Sequence, residues 1–225
     1  AFLFFSSIKI CEPNFDDFTL KTILSGIDEN LVKKNPSFSR LIKKTNSSKV
    51  AKTIEEMIDA TVTVFVDKGI KVEKGMGYSD IILGSGFFID EQGHFITNYH
   101  VIQSEVDSKY EGYSKLYIKN FEGSKDKIPC KVIGYDAFLD LALVKAQVTP
   151  SHIFKLGSSK DLKVGNKCYA IGSPLGLERT VTQGIIYSKD RQLIPLAGVI
   201  QLDAAINHGS SGGLMVGENG EVQGV

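Results

Sequence analysis

The sequence lacks net charge, metal-ligand cysteine spacing and any apolar run long enough to cross a bilayer. Lys plus Arg total 26 and Asp plus Glu total 26. No overall field therefore steers the chain toward nucleic acid, an anionic membrane or a highly charged substrate. The three cysteines, Cys11, Cys130 and Cys168, stand far apart and cannot all pair within one chain. Cys130 and Cys168 read as buried strand residues, and strand partnership between them cannot be read from spacing. No metal and no cofactor is expected. The apolar start AFLFFSSIKI before Cys11 is too short to span a membrane. It reads either as the tail of a signal sequence or anchor, or as an unstructured or amphipathic tail.

What is present is texture for one large all-β domain with an appended segment. The chain has 225 residues, 42% of them hydrophobic, and 22 glycines spread among short apolar runs, a pattern of tight turns that favours strands. From Asn14 to about Ala60 the spacing is helical instead: Phe15, Phe18, Ile23 and Leu24 precede Gly26, and Pro36 breaks the run. Ser47 or Ser48 can cap a helix with Val50, Ile54, Met57 and Ile58 on one face. Residues 1–52 are thus expected to form a leader and helical extension, which reads as a packed preface or, alternatively, as a membrane-proximal scaffold or trimer contact.

Strand character begins at ATVTVFV, near Ala60, and recurs over Ile82 to Ile89, His94 to Tyr99, Lys115 to Asn120, Ile128 to Tyr135 and Leu139 to Lys145. A second set comprises Lys167 to Ile171, Thr180 to Tyr187, Val199 to Leu202 and a hairpin from Gly213 to Val225. The stretch from Val148 to Gly165 separates the sets. Two barrels joined by a linker is the expected arrangement, the first over about 53–147 and the second over about 160–225.

Three residues could carry chemistry together. Ser211 lies in HGSSGGL, where glycines permit a sharp turn and backbone N–H groups at Gly209 and Ser211 could converge on an oxyanion. A flexible Gly/Ser loop is the bland alternative, and composition does not separate Ser210 from Ser211. His100 follows the alternating run HFITNY, which would bring its imidazole out at a strand end. None of His94, His152 and His208 comes with a comparable apolar strand and a later acid. Asp140 sits within FLDLALVK and reads either as a residue of a strand-end turn or exposed face, or as a carboxylate inside a buried strand, where it needs donors or a cationic partner. A triad imidazole would be one such partner. The order His, Asp, Ser, with the first two in the first strand set, is that of the chymotrypsin arrangement.

On the blocks GSGFFIDEQGHFITNYHVI, DLALVK, AIGSPLGLERTVTQGII and IQLDAAINHGSSGGL, the chain resembles the HtrA (Deg) family of trypsin-like serine proteases from about Thr53 to Val225. The resemblance implies two six-stranded antiparallel barrels of the trypsin/chymotrypsin type, the second incomplete because its last strands would lie beyond Val225. It places His100 on the general base, Asp140 on the orienting acid, Ser211 on the nucleophile, and Gly209, Ser210 and Ser211 on the oxyanion-hole backbone. Arg191 falls where related proteases have an arginine that helps switch the oxyanion loop. Regulatory loops are implied at Lys68 to Ile82, Ser173 to Thr180 and Ser188 to Gly198. Ser210 stands where the family usually has Asn, and Leu214 where it often has Pro.

The resulting expectation is a serine endopeptidase acting on unfolded or exposed polypeptides in extracytoplasmic protein quality control, in the periplasm or at a membrane face. Ala205 and Ile206 are expected to line the primary pocket. A homotrimer and membrane anchoring through the N-terminus are the associated expectations. An inactive trypsin-fold module that binds peptide or a partner is the alternative.

Overall fold

A computed structural model describes residues 7–9, 48–107, 114–119, 126–157, 162–173, 180–193 and 196–225, with the backbone alone for 7–9, 73, 190–193 and 196–198. The described residues show a strand ahead of the expected helical span and, within that span, a helix shorter than expected that carries Ile54, Met57 and Ile58. Ser7–Lys9 forms strand β1, and a single helical turn and a half, α1 (Ile54–Asp59), follows much later. Its cap is Thr53, not Ser47 or Ser48. The Thr53 hydroxyl accepts from Glu56 N while the Glu56 carboxylate accepts from Thr53 N, a reciprocal pairing available wherever Thr precedes Glu by three. The expected helices over 10–47, and Cys11, lie outside the described residues.

The first strand set closes into a six-stranded barrel in the order β2-β3-β4-β7-β6-β5, built from β2 (Thr61–Glu73), β3 (Met76–Phe88), β4 (His94–Asn98), β5 (Lys115–Lys119), β6 (Lys127–Asp136) and β7 (Leu141–Ala146). Strands β2 and β3 run well past the barrel. Residues 68–82, expected as a loop, continue both strands as a hairpin that closes on Lys74 and Gly75 at φ 51° and 78°, the double left-handed turn that matches strand twist. Inside, Val62, Val64, Val66, Phe88 and Phe95 form one core, with Phe88 and Phe95 edge-on at 6.0 Å.

The second set is an open, curled sheet ordered β1-β10-β9-β8-β11-β12, from β8 (Lys167–Gly172), β9 (Thr180–Leu193), β10 (Leu196–Leu202), β11 (Leu214–Gly217) and β12 (Val222–Gly224). Residues 188–193 and 196–198, expected as loop, extend β9 and β10 into a longer hairpin. β1 adds to the free edge of β10, Ile8 opposite Ile200. Between the two sheets lies a shared core that draws Phe87, Leu141 and Leu143 from the first and Ile171, Leu214 and Val216 from the second. Phe154, in the connection between them, is fully buried there, edge-on to Phe87 at 5.8 Å. Phe154→Ala is expected to cost about 3–5 kcal/mol in urea denaturation; a loss under about 1 kcal/mol would contradict its place in the seam.

The turn from β3 into β4 is held by Asp90. Its Oδ1 accepts from Gln92 N at 2.9 Å and His94 N at 3.0 Å, and its Oδ2 lies 2.6 Å from His94 Nδ1. Burial pushes the Asp90 carboxyl up, but the His94 ring and backbone bonds outweigh it and hold the group below the usual carboxylate value. A carboxyl depressed in the folded state contributes stability above its unfolded value of about 4, lost as pH falls through the folded value. The stability gap between wild type and Asp90→Asn should therefore be largest near neutrality and narrow below about pH 4. A gap that stays constant down to pH 2 in chemical denaturation would refute this.

Candidate active site

The site is assembled around three segments that leave the strands at one end of the seam. Strand β4 ends at Asn98, and helix α2 (Tyr99–Val106) begins at once. His100 therefore sits in the first turn of a helix and not at a strand end. Of the two readings open for Asp140, the strand-end turn is the one found. Asp140 is the last residue of the turn before β7, with φ 58°, and the turn is tied down by Asp136 Oδ1, which accepts from Phe138 N at 2.9 Å and Leu139 N at 2.8 Å. Such a left-handed backbone is tolerated by Asp better than by most side chains.

The first turn of a helix exposes N–H groups that have no partner within the helix. Here Asp140 supplies the partners. Its carbonyl accepts from Tyr99 N at 3.0 Å, and its Oδ1 accepts from His100 N at 2.9 Å. Its Oδ2 lies 2.9 Å from His100 Nδ1. A carboxylate can only accept, so the neutral imidazole carries its proton on Nδ1 and presents the lone pair of Nε2. The carboxylate is mostly covered, with 19% side-chain exposure, whereas the ring is 51% exposed. An oriented imidazole with one open nitrogen is a general base in waiting.

Asn98 joins this pair to the Ser211 loop. As the residue before a helix it would be expected to cap α2, yet its side chain makes no capping bond. Its Nδ2 donates to Asp140 O at 2.8 Å, and its Oδ1 accepts from Gly212 N at 2.6 Å. Sequence reasoning missed Asn98 because it lies in HFITNYHVI, which reads as one uninterrupted strand.

The loop itself shows which backbone groups are free. Ser210 N donates to Asn207 O at 3.0 Å, and Ser210 O accepts from Gly213 N at 2.7 Å. Ser211 O accepts from Ser85 N at 2.7 Å. Among the described residues, Gly209 N and Ser211 N have no acceptor, so of the three amides predicted at the oxyanion position, Ser210's is already used. Gly209 has φ 93°. Gly212 is required on two counts: its φ is 80°, and a Cβ there would stand 2.2 Å from Ser85 O and from Thr97 Oγ1. Among the described residues no hydrogen bond joins Ser211 Oγ to His100; the two are held to a common frame through Asn98.

Of the predicted pocket residues, Ala205 is exposed, its carbonyl accepting from Thr182 Oγ1 at 2.8 Å. Ile206 is half-buried against the core of the second sheet. The nearest acid in sequence, Asp203, accepts from Ile185 N at 2.7 Å and Tyr187 Oη at 3.1 Å. Arg191 lies in β9 with its backbone opposite Val199; its side chain is outside the described residues. Cys130 and Cys168 are both free thiols. Burial pushes Cys130 up to about 12 and, helped by the Asp203 charge, Cys168 up to about 11, which suppresses thiolate chemistry near neutral pH. No group of three or more His, Cys, Asp or Glu among the described residues could hold a metal ion.

Residues 84–225 match the family model of the trypsin-like peptidase domain. The chain is 37% identical over 149 residues to a probable periplasmic serine endoprotease, DegP-like, of Chlamydia trachomatis, covering 65% of this chain and 28% of that protein. It is 36% identical over 150 residues to the chloroplastic protease Do-like 1 of Arabidopsis thaliana, covering 63% and 32%. It thus spans about a third or less of the length of these relatives. Among solved structures, the HtrA-type protease AlgW with tripeptide superimposes with TM-score 0.61 at 28% identity, covering 75% of this chain and 50% of that one. Deg5 superimposes with TM-score 0.56, also at 28% identity, over 88% and 85%. Barrel order, loop frame and sequence relatives agree, and this chain belongs to the HtrA family of trypsin-like serine proteases.

Proposed function

We propose that the chain is a serine endopeptidase that hydrolyses unfolded or exposed polypeptide through an acyl-enzyme, with Ser211 as nucleophile, His100 as base and Asp140 as orienting acid. The observation that carries this reading is the pairing of an Nε2-open imidazole with a loop whose unused amides are those of Gly209 and Ser211. His100 Nε2 takes the Ser211 hydroxyl proton as Oγ bonds to the substrate carbonyl carbon. The carbonyl electron pair moves to oxygen, where the two amides stabilise it. The C–N bond then breaks, and His100 returns the proton to the leaving amine. Water repeats the sequence on the ester, and the Asp140 carboxylate stabilises the imidazolium in both halves.

The pocket preference follows from which acids are already engaged. Ala205 and Ile206 offer apolar contact, and both carboxylate oxygens of Asp203 already accept hydrogen bonds, one from a backbone amide and one from a phenol, which supports an apolar preference over a basic one. A peptide library should show cleavage after small aliphatic residues. Equal or better cleavage after Lys or Arg would contradict the assignment. A chemically unfolded protein should be degraded while its native form persists; degradation of both at one rate would count against an unfolded substrate.

The bacterial relative named above is described as periplasmic, which supports an extracytoplasmic setting and a quality-control role. Among the described residues no helix is long and apolar enough to cross a membrane. Homotrimeric assembly and anchoring through the N-terminus complete the reading. Sedimentation of the intact protein at three times the monomer mass supports the first, and a monomer contradicts it.

A further inference from the structure

Ser85, in the GSG segment of β3, is buried to 0% exposure and touches three elements of the site. Its backbone N–H donates to Ser211 O at 2.7 Å, and its carbonyl accepts from Thr97 Oγ1 at 2.7 Å. Its side chain meets two more partners: Ser173 N donates to Ser85 Oγ at 2.7 Å, and Ser85 Oγ donates to Gly209 O at 2.7 Å. A hydroxyl has one proton. Because Ser173 N–H must use an Oγ lone pair, the proton is committed to Gly209 O.

A peptide unit is planar and trans, so fixing its oxygen fixes the opposite direction of its N–H. The Gly209–Ser210 unit is held at both ends, its oxygen by Ser85 Oγ and its N–H by Asn207 O. With that plane set, Gly209 keeps φ at 93°, and the N–H groups on either side, of Gly209 and Ser211, are left without partners. Losing the Ser85 anchor would swing the Gly209 oxygen from the β3 wall and free ψ of Gly209 and φ of Ser210, the torsions that join this plane to the two neighbouring peptide units carrying the Gly209 and Ser211 amides.

We infer that the Ser85 hydroxyl is a positioning residue for oxyanion stabilisation, fixing the Gly209–Ser210 peptide so that the Gly209 and Ser211 amides converge. The inference rests on the proteolytic reading of the site. Ser173, whose backbone N–H donates to Ser85 Oγ, pairs its own hydroxyl with Thr63 Oγ1 at 2.5 Å, a side-chain contact that does not reach residues 209–211.

The test compares Ser85→Ala with wild type and with Thr63→Val, which breaks a buried hydroxyl pair in the same seam without touching residues 209–211. Three quantities are measured on the intact protein: kcat and KM on a peptide substrate, affinity for a peptide boronic acid whose tetrahedral adduct needs the oxyanion amides, and affinity for the corresponding product peptide. In Ser85→Ala, kcat and boronate affinity should fall together by about ten- to a hundredfold, less than deletion of an oxyanion donor itself. KM and product affinity should hold. Thr63→Val should lose thermal stability with boronate affinity retained. If Ser85→Ala does not fold, Ser85→Cys, which keeps a weak donor, should give a folded protein with boronate affinity below wild type. Unchanged boronate affinity in the folded Ser85 variant, or equal losses in boronate and product affinity, would overturn the inference while leaving the protease reading intact. Wild-type protein that neither hydrolyses peptide nor binds boronate would overturn both.

Discussion

Ser211→Ala should lower kcat by on the order of 10⁵- to 10⁶-fold, whereas Ser210→Ala should stay within about threefold of wild type. Composition alone leaves these adjacent serines equivalent, but their surroundings separate them. Ser210 engages the loop through its backbone, the amide donating to Asn207 and the carbonyl accepting from Gly213. Alanine preserves both contacts. Ser211 keeps its own N–H unused and has its carbonyl held against β3 by Ser85, so it is the serine whose own amide belongs to the free pair. Because nucleophile and base act as a unit, removing either leaves little beyond binding and oxyanion stabilisation. Steady-state hydrolysis of a peptide by both variants, with melting temperatures alongside, separates lost chemistry from lost fold. Comparable losses in the two variants would assign the loop a structural role.

Asp140→Asn should lower kcat by roughly 10⁴-fold with a small change in melting temperature. The side-chain oxygen that accepts from His100 N and the carbonyl that accepts from Tyr99 and Asn98 can all persist in the amide. What changes is the group facing His100 Nδ1, now an NH₂ donor. That forces the imidazole proton onto Nε2 and removes the lone pair the base needs. KM should move far less than kcat, since the acid does not touch substrate. A variant retaining more than about a tenth of wild-type kcat would show that the carboxylate serves only to cap helix α2.

The barrel strands were legible because short β-branched and aromatic runs such as FFID, FITN and LALV stand between turn residues; they are buried at nearly every residue rather than on alternate ones. The glycine-rich loop was legible because its backbone leaves room only for glycine at 212. The exact setting of the two other residues was not. On its apolar neighbours alone Asp140 fits a strand or a strand-end turn, and only the tertiary contact with helix α2 explains a left-handed acid just before β7. Helix α2 was itself hidden, since HFITNYHVI continues the strand pattern without a break. Asn98 and Ser85 left no sequence signal of their own: one lies inside an apparent strand, the other is a small residue between two glycines. The hairpin over 68–82 was mistaken for a loop because its outer residues, Ile70, Val72 and Tyr78, are exposed and carry no burial pattern. Charge and cysteine usage excluded whole classes of partner but said nothing of the loop that matters most.

The central claim is that Ser211 is a nucleophile activated within this frame. It is tested most directly by treating the intact protein with a fluorophosphonate and locating the adduct by peptide mass spectrometry. A single adduct on Ser211, absent after prior denaturation and in the Asp140→Asn variant on the same time scale, is the predicted result. An adduct on Ser210, or no adduct in folded protein that binds peptide, would contradict it.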